Sequence, residues 1–266
     1  MGFSNQNEGT PSPATKRYSW SGGEHLAEGK YRFSYYDKEK GENVEVKLPF
    51  EFWFLENTVS ITGGGDGFYY WTNEAAPAGK HTPGSILSLH KTTFTSDGER
   101  NSEVIARGTY QQIKEELGER DKNGKPILPQ GMKFTQNHYF YNPESKQIEV
   151  FRMAGAANGA FISFTSKNRG WGRKKVKMSL NEELCKRGAI YYYEPSFEIS
   201  GDYSPEELEL MEKKNNEVLE YIKSLYGDDF KDPSIDQTPV QYQGDENQET
   251  GGEGDDVDLS DVPFIG

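Results

Sequence analysis

Cysteine is almost missing from this sequence: Cys185 stands alone among 266 residues. A single thiol forms no internal disulfide and, without a second, no thiolate zinc site, so a reducing compartment, the cytoplasm, is expected. Long apolar runs are lacking too, and nothing has the length that a membrane-spanning helix needs. Residues 1–20 read as a flexible leader, polar and rich in Ser, Thr, Pro and Asn, without the apolar stretch of a signal peptide. Met1-Gly2 is followed by Gln6 where a myristoylation motif asks for Ser or Thr. The four histidines, His25, His81, His90 and His138, are scattered without metal-ligand spacing. Gly63-Gly64-Gly65-Asp66-Gly67 precedes neither Lys-Ser nor Lys-Thr and opens no helical pattern, so it reads as a hairpin loop and not a phosphate cradle. No metal, cofactor or catalytic residue is expected; the chain reads as a binding protein.

Positive charge is also short, with a formal net charge of −13, which taken whole argues against a nucleic-acid partner. The deficit is unevenly placed. Residues 228–266 hold twelve acids against the single base Lys231, a net −11, which leaves −2 for everything before them. Within the body, residues 146–187 carry ten bases against Glu149, Glu182 and Glu183, a net +7.

What is abundant is aromatic and β-branched sequence. From about Tyr31 to Ile199 such runs are broken by Gly, Asn and Pro clusters, so the chain is expected to be mainly β. Strands are expected at Tyr31–Tyr36, Val44–Leu55, Phe68–Trp71, Ile86–Phe94, Met132–Tyr141, Gln147–Met153, Ala160–Thr165 and Ile190–Ile199. Asn142-Pro143-Glu144-Ser145 supplies a hairpin turn. Short helices are expected from a Thr109 cap to Leu117, ended by Gly118, and over Asn181–Arg187. The clearest helix starts at Ser204-Pro205-Glu206-Glu207, with an N-cap Ser, a Pro at the first helical position and a capping-box Glu. Its stripe of Leu208, Met211, Val218, Ile222 and Leu225 must dock on something. The domain pattern is a leader (1–20), a β domain (21–200), a C-terminal amphipathic helix packed on it (203–227) and a disordered acidic tail (228–266). A small barrel with elaborated loops and a helix at its end fits these elements, and a lectin-like β-sandwich fits them as well.

Two strands present polar faces that carry rings. Trp53 alternates with Glu51 and other charged residues opposite Phe50, Phe52 and Phe54, while Tyr139 and Tyr141 share a face with Lys133 and Asn137. Rings among cations are what unpaired nucleic acid requires, the bases stacking and the phosphates meeting charge. The stretch from Lys167 to Lys177 reads as a mobile basic hairpin loop in which Trp171 lies between glycines and Arg169, Arg173, Lys174 and Lys175 follow a phosphate chain. Trp53, Tyr139, Tyr141 and Trp171 are thus the expected stacking residues. Lys133, Lys167, Arg169, Arg173, Lys174, Lys175 and Lys177 are the expected phosphate contacts.

The terminus, Asp255-Asp256-Val257-Asp258-Leu259-Ser260-Asp261-Val262-Pro263-Phe264, resembles the acidic tip of bacterial and phage single-stranded-DNA-binding proteins, whose tails run through acids into a hydrophobic-Pro-Phe ending. Here Ile265 and Gly266 follow the Phe. The resemblance implies an oligonucleotide-binding (OB) β-barrel that coats and protects single-stranded DNA in replication, recombination and repair, in the host cytoplasm if phage-encoded. It implies that Asp255, Asp256, Asp258, Asp261, Val262, Pro263 and Phe264 recruit a polymerase, helicase, primase or nuclease. Two other classes stay open: a carbohydrate-binding or virion-associated β-sandwich, whose rings would stack on sugars, and a carboxylate-metal enzyme.

A flexible −11 segment tethered to a basic surface visits it at high effective concentration, and single-stranded DNA would have to displace it. Deleting residues 228–266 moves the formal charge from −13 to −2. The truncated chain is therefore expected to bind poly-dT more tightly than the full chain at low salt, with the difference closing as salt rises. Equal affinities at low salt would rule the competition out.

Overall fold

The computed structural model describes residues 11–23, 31–65, 67–75, 86–95, 100–187 and 189–226. The acidic tail and its Val262-Pro263-Phe264 tip, along with His25 and His81, lie outside the described residues. The chain is mainly β, as its composition implies. No helix among the described residues is long and apolar enough to cross a membrane.

Strands β1 (Arg17–Trp20), β2 (Phe33–Asp37), β3 (Glu42–Glu45) and β4 (Phe50–Gly65) open the chain. An antiparallel meander of β5 (Phe68–Thr72), β6 (Leu87–Phe94) and β7 (Arg100–Gly108) follows, leading into helix α1 (Tyr110–Leu117). The hairpin β8 (Met132–Asn142) and β9 (Gln147–Ala154) precedes helix α2 (Gly155–Lys167) and a 3-10 turn at Trp171–Arg173. Then come β10 (Lys174–Leu180), β11 (Cys185–Arg187), β12 (Ile190–Tyr192), β13 (Pro195–Asp202) and helix α3 (Pro205–Tyr226).

Eleven strands form one sheet in the order β3-β2-β1-β9-β8-β4-β5-β6-β7, with β10 added to β4 and β13 to β10. One edge of β4 pairs with β8 from Trp53 to Gly63. Its other edge holds β10 at Phe50–Trp53 and β5 at Thr62–Gly65, so the sheet forks there. No described pairing joins β7 to β3, and the sheet is open where a closed barrel was expected. Local patterning sets which residues are strands, whereas closure depends on which distant edges meet.

The apolar alternation of β4 decides the layering. Phe50, Phe52 and Phe54 point to a first face, where Phe140, Phe151 and Phe161 and Phe164 of α2 complete an aromatic core. Trp53 and Leu55 point to the second face with Tyr139, Tyr141, Ile148 and Val150, and α3 covers them with Met211, Val218, Tyr221 and Ile222. A third cluster joins the end of β4 to the β5–β7 arm under α1, through Ile61, Leu87, Leu89, Ala106 and Ile113.

The caps form as their residues dictate. Thr109 and Gln112 make a reciprocal capping box on α1, and Gly118 ends it at φ 76°. On α3 the Glu207 N–H donates to Ser204 Oγ at 3.2 Å, while the Ser204 N–H donates to Glu207 Oε2 at 2.7 Å. Asn142 closes the β8–β9 hairpin, its Oδ1 accepting from the Glu144 N–H at 2.9 Å. Gly63–Gly65, expected in a hairpin loop, are the last strand residues of β4, paired with Tyr70, Tyr69 and Phe68 of β5.

Several local expectations fail. Arg17–Trp20, expected within a flexible leader, is strand β1, held between β2 and β9. The expected strand Ile190–Ile199 is two strands, Ile190–Tyr192 on β11 and Pro195–Asp202 on β10. Ala160–Thr165 belongs to α2, because Ala157, Phe161 and Phe164 recur at helical spacing and pack as one stripe. Asn181–Arg187 is no helix; Cys185–Arg187 pairs with Ile190–Tyr192 as a small hairpin. The expected strand Val44–Leu55 is broken between Glu45 and Phe50, where Pro49 offers no N–H to a ladder. Leu208 is 44% exposed and outside the buried stripe of α3.

Ile222 is 0% exposed in the second-face core. Its change to Ala is expected to cost about 2–5 kcal/mol in urea unfolding. Loss of less than about 0.5 kcal/mol would mean that α3 does not hold the core.

Candidate nucleic-acid interface

The four rings expected to stack on bases are all interior. Trp53 is 6% exposed, Tyr139 0%, Tyr141 6% and Trp171 4%. Trp53 and Tyr141 do share a face of the sheet, with ring centroids 5.5 Å apart, but α3 covers that face and Tyr203 packs on Trp53 at 5.3 Å. The stripe that needed a partner and the rings that looked exposed are thus two halves of one contact. Trp171 fills the first-face core against Phe54 at 4.5 Å and Phe161 at 5.1 Å.

The basic stretch is not a mobile loop. Lys167 ends α2, a 3-10 turn follows, and Lys174, Lys175 and Lys177 stand on β10 between β4 and β13. Lys174 pairs with Asp202, Lys175 with Glu207 at 2.7 Å while lying 5.0 Å over the Trp53 ring, and Lys177 with Glu198 at 3.4 Å. Lys167, Arg169 and Arg173 are exposed and have no carboxylate partner among the described residues. Three of the seven expected phosphate contacts therefore already serve the fold.

Beyond α3 the second face carries two rows, the first partly exposed and the second mostly buried, with Thr58 and Asn137 at 0% and Ser34 at 8%. Side chains of directly paired residues stand on the same side of a sheet, so the register defines rows across it. One row runs Lys133, Thr62, Trp71, His90 and Val104 across β8, β4, β5, β6 and β7. Four residues back along β4, a second row runs Thr58, Asn137, Arg152, Ser19 and Ser34 across β4, β8, β9, β1 and β2. Four strand residues set the rows ~13 Å apart.

Along the first row Lys133 is exposed and Val104 is 57% exposed. The Trp71 and His90 rings stack with centroids 4.1 Å apart and planes at 8°. The Trp71 Nε1–H donates to Thr92 Oγ1 at 3.1 Å, which fixes the indole edge. Beside them Tyr69 stacks on the exposed Phe94 at 5.8 Å, and the Arg100 guanidinium lies 5.7 Å from the Phe94 centroid. Burial pushes the His90 imidazole below its ordinary pKa, which favours the neutral ring.

The second row is polar. Asn137, 0% exposed, donates through Nδ2 to Thr58 Oγ1 and Ser60 Oγ, both at 3.2 Å, and accepts from Arg152 Nε at 3.2 Å. Glu74 borders it, accepting from Arg17 at 3.2 Å, from Thr58 Oγ1 at 2.9 Å and from the Tyr139 hydroxyl at 2.6 Å. Burial first, and then Glu74, holds the Tyr139 phenol well above its usual pKa, and the same causes in the same order push Tyr221 up to about 12. Burial and the neighbouring Arg17 lower the Arg152 pKa.

Of the expected residues only Lys133 belongs to these rows. Trp71, His90, Tyr69, Phe94, Arg100 and Arg152 were not singled out from sequence. In Phe68-Tyr69-Tyr70-Trp71 both faces are aromatic, so alternation names no solvent side; Arg152 did leave a signal, a charge in the apolar half of the Ile148, Val150, Arg152 alternation. Among the described residues no group of three or more His, Cys, Asp or Glu could hold a metal ion. No family model, no curated protein and no solved structure matches this chain.

The burial pattern is directly measurable. In variants that keep a single tryptophan, acrylamide is expected to quench Trp71 and to leave Trp53 and Trp171 largely protected. Trp171→Ala is expected to cost about 3–5 kcal/mol of stability, the range for emptying a large aromatic site. Free access of acrylamide to Trp171 would return that ring to the surface.

Proposed function

We propose that this chain binds single-stranded DNA without sequence preference on the open second face of its sheet, as a non-enzymatic cytoplasmic protein of replication, recombination and repair. The observation that carries the reading is the solvent-facing row in which Lys133 and the stacked Trp71 and His90 stand side by side, flanked by Tyr69, Phe94 and Arg100. Aromatic faces accept bases of any identity and the cations meet phosphates, so affinity arises without base-edge readout. An OB barrel offers the same kind of strand surface; the open sheet supports the reading without needing closure. The acidic tip ending in Val262-Pro263-Phe264 supports partner recruitment through the tail.

Stacked rings on a sheet also suit a carbohydrate. The cations Lys133, Arg100, Arg152 and the exposed Arg107 favour a polyanion instead. Titrating poly-dT at several salt concentrations separates the two, because phosphate binding weakens steeply with salt and sugar stacking does not. Quenching of Trp71 fluorescence is expected on binding, and Trp71→Ala is expected to reduce affinity by on the order of 1–3 kcal/mol. No quenching and no salt dependence would overturn the proposal.

A further inference from the structure

A charged group that loses part of its hydration is costly unless hydrogen bonds or an opposite charge replace the water. Elsewhere this fold supplies such compensation. Glu149, 0% exposed, receives the Tyr18 hydroxyl at 2.7 Å, Asn142 Nδ2 at 2.8 Å and Ser145 Oγ at 2.9 Å, with Lys16 Nζ at 3.9 Å. Arg152 is treated differently. It stands partly buried in an apolar position of β9, and its one hydrogen bond among the described residues joins Nε to the locked Asn137 amide. Neither terminal nitrogen is sealed from solvent or has a protein acceptor among those residues. The Glu74 charge favours the guanidinium from nearby, but the Glu74 oxygens accept their hydrogen bonds from Arg17, Thr58 and Tyr139. The guanidinium is therefore held from behind by a rigid amide, its two terminal nitrogens without a hydrogen-bond acceptor among the described residues.

We propose that Arg152 is a phosphate-binding residue whose two terminal nitrogens grip one backbone phosphate of the bound strand, with the exposed Ser19 hydroxyl, paired directly to it across the β1–β9 ladder, as a second donor. A planar guanidinium fork matches two phosphate oxygens at once, and a lysine ammonium does not. The ligand class is a phosphate oxyanion. This rests on the single-strand reading, which supplies it as a phosphodiester.

The test compares wild type, Arg152→Gln and Arg152→Lys, all checked for unchanged thermal unfolding, in titrations with labelled oligo-dT over a series of salt concentrations. Arg152→Gln is expected to weaken binding about tenfold and to reduce the magnitude of the salt slope by about 0.7, the value of one single-strand phosphate contact. Arg152→Lys is expected to keep the slope and bind with intermediate affinity. If Arg152→Gln matches wild type in affinity and slope while wild type binds DNA, the phosphate role is overturned and the single-strand reading stands. If wild type does not bind oligo-dT, that reading fails, and thermal shifts with pyrophosphate decide the site by themselves. A wild-type shift lost in Arg152→Gln upholds a free-phosphate site; no wild-type shift removes it.

Discussion

The antiparallel pairing of β4 with β8 is the contact on which the other layers depend. It runs from Trp53 opposite Tyr141 to Gly63 opposite Met132, interrupted once by a bulge between Phe54 and Glu56. All three cores touch this ribbon, the first through Phe54 and Phe140, the second through Leu55 and Tyr139, the third through Ile61 and Met132. The bulge matters because an extra residue shifts alternation and increases local twist. Before it β4 carries β10, and beyond it β5. One strand can thus serve a compact two-faced core and an arm with one face open.

Burial on both sides also explains the polar interior. Thr58, Ser60 and Asn137 are buried on this ribbon, and the Asn137 amide bonds both hydroxyls across the ladder. Such a network ties side chains to one arrangement, since each broken bond leaves an unsatisfied group in a dry environment. The Thr58, Asn137 and Arg152 row owes its rigidity to that constraint.

Local chemistry was legible in the sequence wherever one residue type forces one conformation. The Thr109 and Ser204 caps, Gly118 and the Asn142 turn all act within a few residues, and each formed as its chemistry requires. Burial of the rings was not legible, because alternation says that Trp53 and Phe54 face opposite ways and not whether either face is open. The amphipathic stripe of α3 held the missing information: a helix with Met211, Val218 and Ile222 in line needs an apolar bed, and the aromatic face of Trp53, Tyr139 and Tyr141 is one. Lysines were misread for a related reason. A run such as Lys174, Lys175 and Lys177 looks like free charge until partners arrive from β13 and α3, which lie far along the chain.

The same helix fixes where the acidic segment is attached. Tyr221, in the last turns of α3, packs 5.9 Å from Tyr139, and the charges of Glu74 and Arg17 act on its phenol. The described chain ends at residue 226, and the acids begin at Asp228. The −11 segment therefore begins seven residues after Tyr221, on whose phenol Glu74 and Arg17 act. A tether this close makes local concentration high for any part of the tail that reaches back, and salt weakens that approach as it weakens DNA binding. The net charge of −13 lies almost wholly in that segment, −11 against −2 for the rest of the chain.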